Sequence, residues 1–236
     1  MHPRALAQTR RWAALGTDLF IRAVSDDEDW LRAVSGLPDW SRRQLLAHVA
    51  ANADALGNLV HWAATGEPTP MYATPHTRAA DIARGSKLPA PDLLAWLSSS
   101  ADALEHAMNA LDGSQWTTSV VTAQGRTVPA TEIPWLRARE VCVHGVDLAH
   151  GITFADLPAD FLAALCDDVL AKLATTPRPA LVLEATDSGD RWVLPGDESP
   201  ITLVGSLPQI TAYLTGRPYH LISDDAVPPP VLGPWL

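Results

Sequence analysis

Apolar residues recur at helical spacing through the first two-thirds of the chain. Trp12, Leu15 and Leu19 lay one stripe along a helix over residues 6–23. Ser25 and Glu28 are spaced as a capping box and predict a short helical turn. Ser41 and Gln44 repeat that spacing at the head of SRRQLLAHVAANADALGNLVHWAAT, a long helix stopped by Gly66 and Pro68. The next stretch, GEPTPMYATPHTRAADIARGSKLPAP, is rich in proline and predicts a long loop; such loops in compact domains are usually functional or disordered. Leu94, Leu97, Ala101, Leu104 and Met108 share one face of a helix over residues 91–111. TTSVVTAQGRTVPAT predicts a hairpin about Gln124-Gly125. A fourth long helix opens near Pro134, which a first turn tolerates, and ends near Gly151.

Beyond Thr153 the pattern changes. A helix over residues 158–175 precedes strand-like runs at 180–186, 191–194 and 201–205. SLPQITAYLTGRP then reads as a helix with Ser206 as N-cap and Gly216 as stop, and the tail AVPPPVLGPWL as extended chain. The expected class is α+β: an antiparallel four-helix bundle over residues 1–153 and a smaller α+β domain over residues 154–236.

Composition narrows the partners. Of 236 residues, 47% are hydrophobic and 19% charged, enough for a sizeable core and unlike a disordered chain. A net charge of −10 argues against nucleic acid and anionic membrane surfaces. An acidic protein that binds an anionic small molecule must use a local arginine or a metal. Cys142 and Cys166 form no disulfide framework. The start has no apolar signal core and no run is long enough to span a bilayer, so a cytoplasmic protein is expected. Nothing in the sequence sets an oligomeric state, and a monomer is one of the states it allows.

One stretch carries unusual polarity. In RAREVCVHGVDLAHG, Glu140, His144 and Asp147 lie along one stripe beside apolar Leu136, Val143 and Leu148. Glu140 and His144 are four apart, so they stack on one helix face and can bind one metal ion. The bland alternative is an ion pair or a satisfied core histidine. His48, between Leu45 and Val49 on the apolar side of the second long helix, would complete a His₂Glu set of the catalytic zinc type, with a fourth position open; a core histidine bonded to a backbone carbonyl fits that position as well. Asn52, one turn on, faces the same cavity or belongs to the surface. Asp147 orients a ligand imidazole or is polar surface. Arg126, at the hairpin tip, and Arg78 and Arg84, in the long loop, are anion clamps or solvated arginines. There is no P-loop, no G-x-G-x-x-G and no G-x-S-x-G, and neither cysteine stands in the context of a nucleophile.

LLAHVAANADALGNLVHWAATGEPTPMY, TAQGRTVPATE and LRAREVCVHGVDL resemble the mycothiol-dependent maleylpyruvate isomerases, and the likeness runs on through GSL and YLTGR. The resemblance implies a DinB-like bundle in which His48, Glu140 and His144 bind a divalent metal, zinc by expectation. It implies mycothiol as thiol cofactor, with Asn52 and Arg126 as candidate contacts, and a dicarboxylate substrate isomerised from maleylpyruvate to fumarylpyruvate in an actinobacterial cytosol. It also implies that Arg217, in TGR, is needed for activity. Three alternatives stand beside it: a mycothiol S-transferase acting on electrophiles, a non-catalytic metal-binding sensor, and a plain bundle without metal.

Overall fold

The computed structural model describes residues 4–74, 76–175, 179–196, 199–223 and 228–233. The chain divides into two compact units, residues 5–152 and Arg4 with the residues from Thr153 onward. Four long helices build the first: α1 (Leu6–Arg22), α3 (Arg42–Thr65), α5 (Ala90–Ala110) and α6 (Ile133–Asp147). Shorter elements join them: α2 (Glu28–Arg32), α4 (Thr77–Gly85) and a hairpin of β1 (Ser119–Val121) and β2 (Thr127–Pro129). No described helix is long and apolar enough to cross a membrane.

The capping box at Ser41 forms: its side chain accepts from the Gln44 backbone while Gln44 reaches back to the Ser41 N–H. The one expected at Ser25 does not. Asp27 is the cap, its carboxylate accepting from the Trp30 N–H at 2.7 Å, while Ser25 Oγ accepts from the Asp27 N–H. A carboxylate three residues ahead of that N–H is the closer and stronger acceptor. The hairpin turns at Gly125, whose φ of 76° belongs to the left-handed region. The helix α6 ends at Asp147, four residues short of the expected Gly151, because Ala149 takes a positive φ of 50°.

On α1 the buried stripe is Trp12, Gly16 and Phe20, whereas Leu15 is 39% exposed. Gly16 explains the rotation. A Cβ there would lie 2.5 Å from Cys142 Sγ and 2.7 Å from Val141 Cγ2, so α6 approaches at the one position with no side chain. Gly16→Ala is expected to destabilise the protein by about 1–3 kcal/mol, because an added methyl must force the two helices apart. An unchanged thermal midpoint for that variant would show that α1 can move away freely.

The contacts define helix directions. Trp12 meets Trp135, Gly16 meets Cys142 and Phe20 meets Gly145, so α1 and α6 run parallel. Arg43 donates to the Leu88 carbonyl, Asp54 accepts from the Trp96 indole and Gln115 donates to the Ala64 carbonyl, so α3 and α5 also run parallel. Against α6, α3 is antiparallel: Arg42 bonds Leu148 O, and Asn52 meets Arg137. The two successive long helices α3 and α5 can share a direction only if the chain between them returns along the bundle. The proline-rich stretch is that return. It carries a helix, α4, which its composition concealed: TRAADIARG has one large apolar residue, Ile82, and that residue is buried. Gly85 ends α4 where a Cβ would strike the Trp96 ring at 2.3 Å.

The second unit holds α7 (Ala159–Leu173), α8 (Leu207–Leu214) and a sheet ordered β4 (Arg191–Leu194), β3 (Leu181–Ala185), β5 (Ile201–Gly205), β6 (Ile222–Ser223). Strands β3 and β5 are parallel; the outer pairings are antiparallel. The Ser206 side chain makes no cap bond; Asp187 Oδ1 accepts from the Leu207 N–H at 2.8 Å instead. The helix α8 closes in a Schellman motif: Arg217 N–H donates to Ala212 O at 2.8 Å and Gly216 N–H to Tyr213 O, with Gly216 at φ 73°. Of the tail expected to be extended, residues 228–233 form no regular element, and residues 226, 227 and 234–236 lie outside the described residues.

Candidate metal centre

Two helices supply three donors. Two turns into α3, the side chain of His48 turns toward α6, and Glu140 and His144 stand one turn apart on α6 facing it. The antiparallel crossing of α3 and α6 sets them level. Glu140 Oε1 lies 2.6 Å from His48 Nε2 and 3.6 Å from His144 Nε2. One ligand atom from each residue lies within 4.8 Å of the other two. The imidazoles meet edge to face with centroids 5.0 Å apart, and the Trp40 ring backs His48 at 5.7 Å.

The polar atoms around this cluster fit a cation. Glu140 Oε1 is buried and accepts no hydrogen bond of ordinary geometry. His48 Nδ1 is also buried without a hydrogen-bond partner, so the ring has no carbonyl bond of the kind a satisfied core histidine makes, and Nε2 is the nitrogen turned to the cluster. Burial raises the affinity of Glu140 for a proton, but His48, His144 and Arg137 outweigh it and hold the carboxyl well below the ordinary range. Two imidazole nitrogens and one carboxylate oxygen are the donors of a three-ligand zinc site.

Asp147 is buried, with Oδ2 2.8 Å from His144 Nδ1. That bond assigns the proton to Nδ1 and leaves the Nε2 lone pair directed at Glu140 and His48. The Asp147 Cα and carbonyl in turn lie against Gly36, whose N–H donates to the Asp147 carbonyl at 2.7 Å. Asp147→Asn is expected to weaken metal binding about 10–100-fold with the fold intact. Competition against a chelator of known affinity measures this, and an unchanged metal affinity would remove Asp147 from the site.

Asn52 and Arg126 occupy different settings. Asn52 is buried and its Oδ1 accepts from Arg137 Nη1 at 3.1 Å; the same nitrogen donates to Val49 O at 2.9 Å. Arg137 carries no sequence signal of its own, although it stands three residues before Glu140 on the same stripe. Burial lowers its pKa to about 10 despite Glu140 and Asp54, so it remains a cation near neutrality. Arg126 is exposed at the hairpin tip, its N–H donating to Thr122 Oγ1. Arg84 pairs with Asp81 at 2.8 Å on the surface of α4. Arg78 reaches the cluster, with Nη2 3.4 Å from His48 Nε2. Arg217 belongs to the other unit, on the turn leaving α8.

Neither cysteine offers a thiolate. Burial pushes both Cys142 and Cys166 up to about 12. Cys142 Sγ points away from the donors toward Trp12 O, and Cys166 bonds Thr211 at 3.3 Å.

A helical bundle that gathers two histidines and a carboxylate, with both cysteine thiols buried apart from them, defines a class: helical bundles with a candidate metal-binding donor set. Residues 6–149 match the family described as the mycothiol maleylpyruvate isomerase N-terminal domain, and the chain belongs to that family. Its structure is similar to the crystal structure of the mycothiol-dependent maleylpyruvate isomerase, with 36% identity, 97% of this chain and 96% of that chain covered, and a TM-score of 0.90. A histidine-to-alanine mutant of that enzyme matches with the same identity, coverage and TM-score. No curated protein sequence matches the chain.

Proposed function

We propose that this chain is a metal- and mycothiol-dependent isomerase that converts maleylpyruvate to fumarylpyruvate, a step of gentisate breakdown. The observation that carries the proposal is the 36% identity and TM-score of 0.90, over 97% of the chain, to the mycothiol-dependent maleylpyruvate isomerase. The gathering of His48, Glu140 and His144 supports it.

In this reading those three side chains would hold a zinc ion, which together with mycothiol would supply the thiolate needed for reversible addition to the cis double bond. The protein's own part is positional and electrostatic. Asp147 fixes the His144 ring, and Arg137, held by Val49 O and Asn52, adds a positive charge near Glu140. Arg126, exposed on the hairpin, is proposed as a contact for the polar body of mycothiol, with Asn52 acting through Arg137. Arg217 is proposed as the clamp for a substrate carboxylate. Mycothiol is what ties the reading to the actinobacterial cytosol.

The test combines purified protein, zinc, mycothiol and maleylpyruvate and follows the appearance of fumarylpyruvate. Conversion that needs protein, metal and thiol together is expected. Metal-loaded protein that leaves maleylpyruvate unchanged would overturn the proposal, and conjugation of mycothiol to other electrophiles in its place would move the chain to the S-transferases.

A further inference from the structure

The returning segment between α3 and α5 brings two polar side chains to the metal cluster that the known donors do not account for. Arg78, in the first turn of α4, places Nη2 3.4 Å from His48 Nε2, the same nitrogen that lies 2.6 Å from Glu140 Oε1. Tyr72, six residues earlier on the same segment, lies close enough to Arg78 and to Glu140 to feel the charge of both. A guanidinium beside a cation site is costly unless something negative joins them. The fixed charges supply little: Glu140 and Asp147 stand against Arg78 and Arg137, Asp81 is engaged by Arg84, and the exposed Asp54 accepts the Trp96 indole. A divalent ion at the donor set therefore leaves an excess of positive charge.

The position of Arg78 says where the compensating anion sits. A metal ion held by the donor set would take the lone pair of His48 Nε2, and that nitrogen would no longer serve Arg78 as an acceptor. A guanidinium donor beside the site would then be free for an anion. We propose that Arg78 is a substrate-binding residue that holds one carboxylate of the dicarboxylate beside the metal. The inference rests on the isomerase reading for the identity of the substrate.

The test uses the full chain loaded with zinc and free of thiol, titrated calorimetrically with maleate, a cis dicarboxylate. Arg78→Gln is expected to weaken maleate binding about 10- to 100-fold, the loss of a charge-assisted pair. Arg78→Lys should restore part of it, since a point charge cannot reproduce the fork. Zinc affinity, read by chelator competition, should stay the same or rise, because a neighbouring positive charge is gone. In a second arm, cobalt-loaded protein takes up 2-mercaptoethanol, and the sulfur-to-cobalt absorption should titrate alike in wild type and Arg78→Gln. Maleate binding that ignores Arg78, wild-type protein that does not bind maleate, an equal loss for the thiol, or loss of zinc in the variant each overturns the assignment. Wild-type protein that binds maleate through Arg78 but does not isomerise maleylpyruvate would sink the isomerase reading and leave the carboxylate site standing. Isomerisation by a protein whose maleate affinity ignores Arg78 would do the reverse.

Discussion

His48→Ala protein is expected to lose its metal and its turnover together while keeping its fold. His48 is the single donor contributed by α3; the other two come from α6. Removing it leaves Glu140 and His144 on one helix, a pair that cannot surround an ion, and opens the side of the site that α3 closes. Loss of an outer-shell partner alone costs about 10–100-fold in metal affinity, and loss of one of three direct ligands should cost more. The fold should survive because His48 contributes little to it: Nδ1 is an orphan, and the Nε2 contact to Glu140 is of a kind that a metal would replace. Metal content of the purified variant, its circular dichroism and its isomerase rate decide the matter together. In metal-bound protein the donor bonds should measure about 2.0–2.2 Å. Stoichiometric zinc with full turnover in His48→Ala would end the three-ligand assignment.

The second large effect concerns Arg217. The Schellman bonds Arg217 N–H to Ala212 O and Gly216 N–H to Tyr213 O pin its backbone at the end of α8, and its Nη1 donates to Thr215 O. A guanidinium rooted in so rigid a turn is suited to presenting a fixed fork to a carboxylate. Addition of a thiolate to the double bond drives negative charge toward the conjugated keto-acid end of the substrate. A preorganised donor at that charge is worth about 10²–10³ in rate. Arg217→Ala should therefore keep zinc and fold and lose most of its turnover, and Arg217→Lys should regain part. An Arg217→Ala rate near that of wild type would return Arg217 to the plain role of a cation near a helix C-terminus, mildly favourable there and nothing more. Measuring kcat and KM separately is informative, because a residue that acts only in the transition state lowers kcat and kcat/KM alike.

These two residues were legible in the sequence to different depths. His48 stood out because a histidine between Leu45 and Val49 on an apolar stripe must meet a partner or be stranded. Arg217 drew notice through the resemblance of TGR. Arg78 and Arg137 show what the sequence withholds. Nothing in HTRAADIARG tells which arginine faces a metal and which pairs with Asp81 on the surface. Arg137 reads as one more charge in RARE, yet it is buried against Val49 O and Asn52.

What the sequence determined by itself is local. The i, i+4 spacing alone puts Glu140 and His144 on one face, because a helix returns to the same side every turn. Ser41 and Gln44 close their capping box within four residues, and Gly125 and Gly216 mark turns because their φ angles suit glycine. What the tertiary structure decided depends on residues far apart in the chain. The antiparallel crossing of α3 and α6 brings His48 level with Glu140, ninety-two positions on. The close approach of α6 at Gly16 turns the buried stripe of α1 away from Leu15. Asp187 displaces Ser206 as the partner of the Leu207 N–H, across a strand connection that no helix-capping rule spans. The parallel course of α3 and α5 makes the proline-rich stretch a return path, and so sets Tyr72 and Arg78 beside the metal donors. Spacing along one helix follows from backbone geometry; which helices meet, and at what level, follows from how their side chains pack.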